Sequence, residues 1–495
     1  MLLKAMKNET LTENGAKTYK SSLNECLDLF ALGGAYRNRS EEDVIDLFTK
    51  AYQQDELTAL LILVYLRDIR GGQGERRFFR TVLKNLAEQN NDVVKTLIPF
   101  VPYYGRWDDL WCLLDTPYIQ SVLTLVGQQL TQDVMNLDKG EEISLLGKWL
   151  PSENASSQET KRLAKIIRKN SGLSPKQYRK MLSELRAKID IVERKMTQNQ
   201  WSEIEYDKLP SKAGLQYRDA FYRHDKDRYT EFMMPKDGQS VKVNAGTLYP
   251  YEIVGKVPFD YWSESAMPID DIERATLNNY WKNIPDYING DSTDAIAVID
   301  VSGSMSGTPM EVAVSLGLYV AERNKGKFKN HFITFHSFPE LVELDENDDF
   351  CSKVQKIKEA DWGGSTDLEA TFDLILNTAI NYNLPQSEMP EILYIISDMM
   401  FDRIQGYNSN NETVIENAKF KFEAAGYKIP HLVFWNVDAR MDSVPMIGKD
   451  GYTLVSGFSP SIFEMVMIRT TPEEFMNSVI YSERYQPVLE ILKNR

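Results

Sequence analysis

A short apolar run followed by evenly spaced oxygen-bearing side chains places the strongest constraint on how this chain folds. Residues 295–299, AIAVI, are small or β-branched and show no polar alternation, which is typical of a strand buried on both faces. The run ends at Asp300, and Ser302 and Ser304 follow at intervals of two, before a helix-like stretch from Pro309 to Glu322. The pattern therefore predicts a strand, a polar loop at its carboxyl end and a returning helix.

Two later loops carry side chains of the same chemistry. The loop Gly363-Gly364-Ser365-Thr366-Asp367 precedes a predicted helix, and the predicted strand Ile392–Ser397 is followed by Asp398. Because the carboxyl ends of parallel strands meet at one edge of a sheet, we expect Asp300, Thr366 and Asp398 to lie together there. Carboxylate and hydroxyl oxygens without Cys or His suit Mg²⁺, or another divalent cation such as Mn²⁺ or Ca²⁺. The first loop alone would be weak evidence, since Ser and Asp also cap helices and form turns.

Residues 291–495 alternate strands with helices, which predicts a doubly wound, mostly parallel sheet. The predicted strands are Ala295–Asp300, Lys329–Phe335, Leu341–Leu344, Ile392–Ser397, His431–Asn436 and Thr453–Ser456. The predicted helices are Pro309–Asn324, Asp367–Tyr382, Thr413–Ala425, Ser459–Arg469 and Pro472–Tyr481. A linker rich in Pro, Gly, Asn and Asp is expected near residues 284–293.

The preceding part, residues 1–285, is predicted to be α-helical. Apolar residues recur at helical spacing over Ser21–Leu32, Glu41–Arg70, Glu75–Gln89 and Val93–Phe100, with breaks at glycine pairs and at Pro99. Short amphipathic helices joined by small turns are typical of a HEAT-like repeat that forms a solenoid or a ring. The glycine-rich stretch Arg70–Arg77 lacks the GK[ST] ending of a phosphate loop and follows a helix, so we interpret it as a helix–helix corner.

Charge is distributed unevenly along the chain. The net charge is −15, and residues 290–495 hold 17 Lys and Arg against 31 Asp and Glu. Within the nearly neutral remainder, residues 161–195 hold 12 basic and 3 acidic residues, and we call them the basic segment. A cationic surface attracts the phosphates of nucleic acid, although a solvated surface remains the alternative. The candidate RNA-binding residues are Arg162, Lys165, Arg168, Lys169, Lys176, Arg179, Lys180 and Arg186.

Other features of the sequence indicate a cytoplasmic protein. No apolar run approaches the ~20 residues of a membrane span, and the amino terminus becomes polar too early for a secretory signal. The cysteines, Cys26, Cys112 and Cys351, are odd in number and far apart, so they form neither a disulfide framework nor a zinc site.

The three polar loops resemble the metal-ion-dependent adhesion site of a von Willebrand factor A domain, and they occur in that family's order. The resemblance implies that Asp300, Ser302, Ser304 and Thr366 contact the metal and that Asp398 often acts through water. It also implies an open coordination position for a partner's carboxylate, and it implies no catalytic residue.

The whole chain is similar to two families. An A-type domain after a helical region resembles the Ro ribonucleoprotein (TROVE) architecture, whose helical ring binds structured small RNAs. The phrases LPSENA and NAGTLYP, and the stretch from LSPKQYRK through IVERKM, resemble domain-of-unknown-function family 2828 more closely.

Three functions follow as hypotheses. The first is a non-enzymatic, Ro-like RNA-binding protein whose A domain binds a divalent cation and an acidic partner. The second is a metal-dependent protein-interaction or assembly factor without nucleic acid. The third is a metal-dependent phosphohydrolase, for which the sequence offers no second metal cluster and no convincing nucleophile–base pair.

Overall fold

The computed structural model describes residues 5–236, 238–260, 265–288, 294–360, 365–403, 413–448, 451–463 and 471–495. Its strands are β1 Glu9–Leu11, β2 Lys17–Tyr19, β3 Phe259–Asp260, β4 Ser265–Ala266, β5 Ala295–Ile299, β6 His331–Thr334, β7 Leu341–Glu343, β8 Ile392–Ser397, β9 His431–Asn436 and β10 Tyr452–Ser456. Its α-helices before β5 are Glu25–Gly33, Glu41–Gln54, Glu56–Arg67, Arg76–Glu88, Val93–Leu97, Val101–Tyr104, Ile119–Lys139, Leu146–Trp149, Gln158–Asn170, Pro175–Lys188, Val192–Thr197, Ser211–Gln216, Arg218–His224, Lys226–Met233, Pro250–Val254 and Asp271–Lys282. Those after β5 are Thr308–Arg323, Phe350–Glu359, Leu368–Asn381, Val414–Ala424, Pro472–Ile480 and Gln486–Lys493.

Six strands of the carboxyl-terminal region form one sheet in the order β10-β9-β8-β5-β6-β7. All neighbours are parallel except β7, which pairs antiparallel with β6 at the edge. Counted from its own first strand, the sheet has the order 6-5-4-1-2-3, so the direction of winding reverses between β5 and β8. In open α/β sheets this reversal leaves a crevice outside the carboxyl ends of the two strands, which is where ligands bind.

Both faces of the sheet are covered. Alternate residues of β5 belong to two separate hydrophobic clusters: Ala295, Ala297 and Ile299 pack on one face, and Ile296 and Val298 on the other. The helix Thr308–Arg323 packs on the first face, while Leu368–Asn381 and Val414–Ala424 pack on the second. The prediction of a mostly parallel α/β region is confirmed.

Gly317 explains how closely the first of these helices approaches the sheet. A Cβ atom at this position would lie 2.3 Å from Cδ1 of Ile299, so a larger side chain would push the helix away from β5. The helix begins at Thr308, directly after the loop that carries Ser302 and Ser304, and its close packing therefore fixes where that loop lies.

The amino-terminal region is mostly helical, as predicted, with one correction. The stretch Glu41–Arg70 is not a single helix, because Asp55 adopts an extended conformation (φ −151°, ψ 103°) and its carboxylate accepts a hydrogen bond from the Thr58 backbone N–H. Asp55 therefore ends one helix and caps the next, which is a common role of aspartate. A helix that we did not predict, Phe350–Glu359, begins in the same way after Asp349.

Two predicted segments lie partly outside the described residues. The expected helix Ser459–Arg469 contains a 3₁₀ turn at Pro460–Ile462, and residues 464–470 are outside the description. The expected linker is described only as far as residue 288. No helix in the described part of the chain is long and apolar enough to cross a membrane.

The glycine-rich stretch Arg70–Arg77 is a corner between two helices, as predicted, with Gly72, Gln73 and Glu75 buried and its three arginines exposed. A Cβ atom on Gly72 would lie 1.9 Å from the carbonyl oxygen of Tyr65. Gln73 is fully buried, donates to the Tyr65 hydroxyl at 2.6 Å and accepts from the Ser459 N–H at 3.3 Å. The glycines permit close packing against the carboxyl-terminal region.

The two ends of the chain each pack on the opposite region. Near the carboxyl end, Arg484 Nη2 and the Tyr485 hydroxyl donate to the buried carboxylate of Asp68, at 2.7 and 3.1 Å. Near the amino end, β1 and β2 form a hairpin, whose residues Ala16 and Tyr19 join the hydrophobic cluster on the second face of the sheet. One continuous hydrophobic core therefore runs from the amino-terminal helices to the first face of the sheet.

Candidate metal centre

Asp300 and Asp398 lie side by side at the point where the sheet reverses its winding. Asp300 directly follows β5, Asp398 directly follows β8, and these strands are parallel neighbours with Ile299 opposite Ile396. The Asp300 backbone N–H donates to the Ile396 carbonyl at 3.1 Å, so the ladder continues to the carboxylates. Both side chains are fully buried.

The loop after β5 folds back over the Asp300 carboxylate. The Ser302 backbone N–H donates to Asp300 Oδ1 at 2.9 Å, and the hydroxyls of Ser302 and Ser304 are 3.0 Å apart. Ser397, the last residue of β8, donates from its hydroxyl to Asp300 Oδ2 at 2.5 Å. The two serine hydroxyls and the first carboxylate therefore form one group of oxygens.

Asp398 has one satisfied and one unsatisfied oxygen. Its Oδ1 accepts from the Met400 N–H at 3.1 Å, whereas Oδ2 is buried and has no hydrogen-bond partner among the residues that the structure describes. Arg440 Nη1 lies 3.9 Å from this oxygen, which is beyond hydrogen-bonding distance. Because a buried carboxylate oxygen without a partner is costly, its presence requires an explanation such as an ion or water.

Thr366 is tied to the same group through the loop after β8. Its hydroxyl donates to the Met400 carbonyl at 2.8 Å and lies 3.1 Å from Asp402 Oδ1, and its backbone N–H donates to Asp402 Oδ2 at 2.8 Å. Asp367, the next residue, caps the helix Leu368–Asn381 by accepting from the Ala370 N–H at 2.9 Å. Gly363 and Gly364, which precede this loop, lie outside the described residues.

The electrostatics of these loops fit a bound cation. Burial, together with the neighbouring Asp398 carboxylate, raises the pKa of Asp300 to about 7. Burial also raises the pKa of Asp398, against the opposing hydrogen bond from Ser304. Arg440, at 3.9 Å from Asp398 Oδ2, lowers the pKa of Asp398 without offsetting the effect of burial, and a divalent cation would supply the further positive charge.

The donor set is compatible with Mg²⁺. In the described part of the chain, no three or more His, Cys, Asp or Glu side chains cluster as metal ligands. A cation held here would therefore be bound by two carboxylates and by hydroxyls, with water completing the coordination. Mg²⁺ retains waters readily and prefers such oxygen ligands. We call Asp300, Ser302, Ser304, Thr366 and Asp398 the metal centre.

Sequence reasoning missed the loop after β6, which reaches the same sheet edge. The Ser337 N–H donates to the Ser365 hydroxyl at 2.8 Å, which joins this loop to the Thr366 loop. His336 is buried, and its Nε2 has no hydrogen-bond partner in the described part of the chain. Phe338 is 81% exposed, so this loop presents a large apolar side chain to solvent. The sequence contained no signal for these contacts, since His336 lies outside the three polar motifs.

The structure divides the candidate RNA-binding residues into two groups. Three arginines are engaged within the protein. Arg168 donates to Glu153 Oε1 at 2.7 Å, Arg186 donates to the Leu150 carbonyl at 2.7 Å, and Arg162 forms ion pairs with Asp115 and Glu159. Arg168 and Arg186 therefore hold the preceding loop in place.

The second group is exposed. Lys165, Lys169 and Lys176 lie at the surface of two consecutive helices, and within the described residues none of them has an ion-pair partner. Arg179 and Lys180 are also exposed, at 3.9 Å from Glu153 and 3.6 Å from Glu184 respectively. The cationic surface that remains available is thus formed mainly by lysines.

Comparisons with known proteins assign both regions to families. Residues 12–93 and 169–292 match the domain of unknown function DUF2828, and residues 294–487 match the domain of unknown function DUF7788. The second match contains every residue of the metal centre.

A protein of Acanthamoeba polyphaga mimivirus, described as uncharacterized protein L728, shares both regions. It is 34% identical over 507 residues, which cover 95% of this chain and 86% of the viral protein. The chain belongs to the DUF2828 and DUF7788 family of this viral protein, and the resemblance to family 2828 noted in the sequence is confirmed.

Proposed function

We propose that this chain is a non-enzymatic cytoplasmic binding protein whose carboxyl-terminal region is a von Willebrand A-type domain with a metal-ion-dependent adhesion site. In this proposal Asp300, Ser302 and Ser304 hold Mg²⁺, and Thr366 and Asp398 contact it directly or through water. The bound cation supplies an open coordination position that accepts a carboxylate of a protein partner. The observation that carries the proposal is the buried, unpartnered Oδ2 of Asp398 beside the buried Asp300.

Two further features support the proposal. The polar loops lie at the sheet edge where winding reverses, which is the usual ligand position in such folds. The exposed Phe338 lies on a loop bonded to the Thr366 loop, so an apolar side chain stands beside the polar centre. Interfaces commonly combine a polar anchor with a large apolar contact.

Replacing Asp300 by alanine is expected to abolish Mg²⁺ and Mn²⁺ binding, because it removes one of two carboxylates from the centre. Isothermal titration calorimetry of the full chain measures this directly. Asp227→Ala is the matched control, since Asp227 is exposed on a helix of the amino-terminal region. Unchanged cation affinity in Asp300→Ala would remove the basis of the proposed site.

Partner docking should depend on the same cation. A protein partner that is recovered with Mg²⁺, and lost both with EDTA and with Asp300→Ala, is the expected result. Recovery that is equal in all three conditions would contradict docking through the metal. Nuclease or phosphatase activity that disappears in Asp300→Ala would instead favour the hydrolase hypothesis.

RNA binding is the second candidate function. We propose that the amino-terminal helices form a Ro-like, HEAT-like repeat, whether a solenoid or a ring, and that structured or small RNA binds at the basic segment. The supporting observation is a set of exposed lysines on consecutive helices, without ion-pair partners among the described residues, which would attract phosphates and release counterions. The internal pairs of Arg168 and Arg186 limit this surface, so we rank cation-dependent docking first.

Changing Lys165, Lys169 and Lys176 together to glutamate should lower RNA affinity by at least about tenfold and reduce the slope of its salt dependence, since each phosphate contact contributes to that slope. The measurement is RNA retained by the purified protein, followed by titration at several salt concentrations. The matched control changes the exposed lysines Lys236, Lys242 and Lys282 to glutamate, which alters the net charge equally. An equal effect of both triple variants would mean that charge alone, without a binding surface, accounts for retention.

A further inference from the structure

The hairpin formed by β1 and β2 lies against the loop that follows β8. Its tip, residues 12–16, connects the two strands, and Gly15 pairs with Asp402 in an isolated antiparallel bridge. At the base of the hairpin, Tyr19 forms a second bridge with Val444. These bridges join residues 387 and 425 positions apart in the sequence, and they place the tip beside the Thr366 and Asp398 loops.

Side chains of the hairpin tip bind the backbone of the loop that follows β8. The Thr12 hydroxyl is buried and donates to the Phe401 carbonyl at 2.7 Å, while accepting from the Ala16 N–H at 3.0 Å. Glu13 Oε2 lies 3.2 Å from Arg440 Nη1, which is nearer than the 3.9 Å between Arg440 and the unpartnered Oδ2 of Asp398. Glu13 thus provides Arg440 with a carboxylate other than that of Asp398.

Asn14 makes the most direct contact with the metal centre. Its side-chain N–H₂ donates to the Thr366 hydroxyl oxygen at 3.0 Å and to the Met400 carbonyl at 2.7 Å. The same Met400 carbonyl accepts from Thr366, and the Met400 N–H donates to Asp398. One amide group therefore connects the loop that carries Thr366 with the loop that carries Asp398.

The hydrogen bonds of Thr366 determine which direction remains open at its oxygen. A hydroxyl has one hydrogen and two lone pairs. The hydrogen is directed to Met400 or Asp402, and one lone pair accepts from Asn14, so one lone pair is left for a ligand. Because Asn14 fixes this arrangement before any ligand arrives, the hydroxyl does not need to be reoriented on binding.

We propose that the amino-terminal hairpin is a working part of the metal centre, in which Asn14 is a positioning residue that orients the Thr366 hydroxyl and holds the two metal-centre loops together. This inference rests on the proposed cation site. It predicts that docking of the hairpin and binding of the cation stabilise each other, since such coupling is reciprocal.

The first test is the Mn²⁺ affinity of the full chain with Asn14→Ala. We expect the dissociation constant to rise about tenfold, as is usual when a group that orients a metal ligand is removed. Asn8→Ala is the matched control: Asn8 also lies at the hairpin and its amide donates to the Ser21 carbonyl at 2.8 Å, but it has no contact with the metal centre among its described hydrogen bonds. The control should bind Mn²⁺ with nearly the affinity of the wild type, because the hydrogen bond that it loses does not reach the metal centre. Equal affinities of Asn14→Ala and wild type, or equal losses in both variants, would overturn the role of Asn14.

The second test separates orientation of Thr366 from a general loosening of the fold. In a Thr366→Ala background, Asn14→Ala should have little further effect on Mn²⁺ affinity, because the group that it orients is gone. Purely additive losses would contradict the proposal. Saturating Mn²⁺ should also slow hydrogen exchange of backbone amides in residues 9–19 of the wild type but not of Asp300→Ala.

The outcomes distinguish this inference from the proposed function. Wild-type Mn²⁺ affinity in Asp300→Ala would mean that the cation site itself is wrong. Loss of binding in Asp300→Ala, together with unchanged affinity in Asn14→Ala and unchanged hairpin exchange, would leave the cation site intact and reject only the role of the hairpin.

Discussion

Replacing Asp109 by alanine should lower the free energy of unfolding by about 3–5 kcal/mol, which is the usual cost of removing one partner from a buried ion pair. Asp109 and Arg67 are almost completely buried, at 0% and 2% side-chain exposure. Arg67 Nε donates to Asp109 Oδ2 at 2.8 Å, Arg80 Nε donates to Oδ1 at 2.7 Å, and the Arg106 backbone N–H donates to Oδ2 at 2.9 Å. The alanine variant would remove the carboxylate to which the buried Arg67 guanidinium is hydrogen-bonded.

Urea denaturation of the variant measures this loss, and Asp115→Ala is its matched control. Asp115 also pairs with an arginine, Arg162, but both side chains are largely exposed. Exposed pairs contribute about 0.2–1 kcal/mol, so the control should change stability little. If the two variants lost similar stability, the buried network would not be a major stabilising element. A double change of Arg67 to Met and Asp109 to Leu should recover part of the loss.

A second large effect is expected at the metal centre. The carboxylates that bind the cation should lower the stability of the cation-free protein. In buffer with EDTA, Asp300→Asn should be more stable than the wild type by about 1 kcal/mol or more, because it removes one of two adjacent buried carboxylates. With Mg²⁺ at a hundred times its dissociation constant, the wild type should gain about 2.7 kcal/mol and become the more stable protein. The variant should gain almost nothing.

Thermal unfolding with and without Mg²⁺ tests this reversal of order. The exposed variant Asp227→Asn should follow the wild type in both buffers within about 0.5 kcal/mol. If Asp300→Asn were less stable than the wild type in EDTA as well, the carboxylate would be a structural group, and the case for a cation at this position would be lost.

The metal-centre loops could be predicted because their signal is local. Asp300 and Asp398 each follow a continuous apolar strand. Parallel pairing places the carboxyl ends of such strands at the same edge of the sheet, independently of contacts elsewhere in the chain. The separation between two consecutive helices at Asp55 was equally local, but it was missed, because the apolar pattern continues across the break while the cap depends on a single residue.

Other features were not predictable from local sequence. The contact between Asn14 and Thr366 spans 352 positions and consists of one amide group, for which hydropathy and charge patterns carry no information. The exposure of the arginines in the basic segment was also not predictable from local sequence. Its charge was evident, but whether an arginine faces solvent or binds backbone carbonyls, as Arg186 does with Leu150 and Gly147, depends on how the preceding loop folds.

The exchange of chain ends between the two regions has a consequence for synthesis of the protein. A ribosome synthesises the hairpin long before the strands that receive it, and it synthesises Arg484 and Tyr485 long after their carboxylate partner, Asp68. The amino-terminal region can form its contacts with Arg484 and Tyr485 only after the carboxyl-terminal region has been synthesised, although domains generally fold as units during synthesis. Packing of the two regions is therefore completed only after both have been synthesised, and cutting the chain between residues 285 and 291 would separate each region from an element that packs on it.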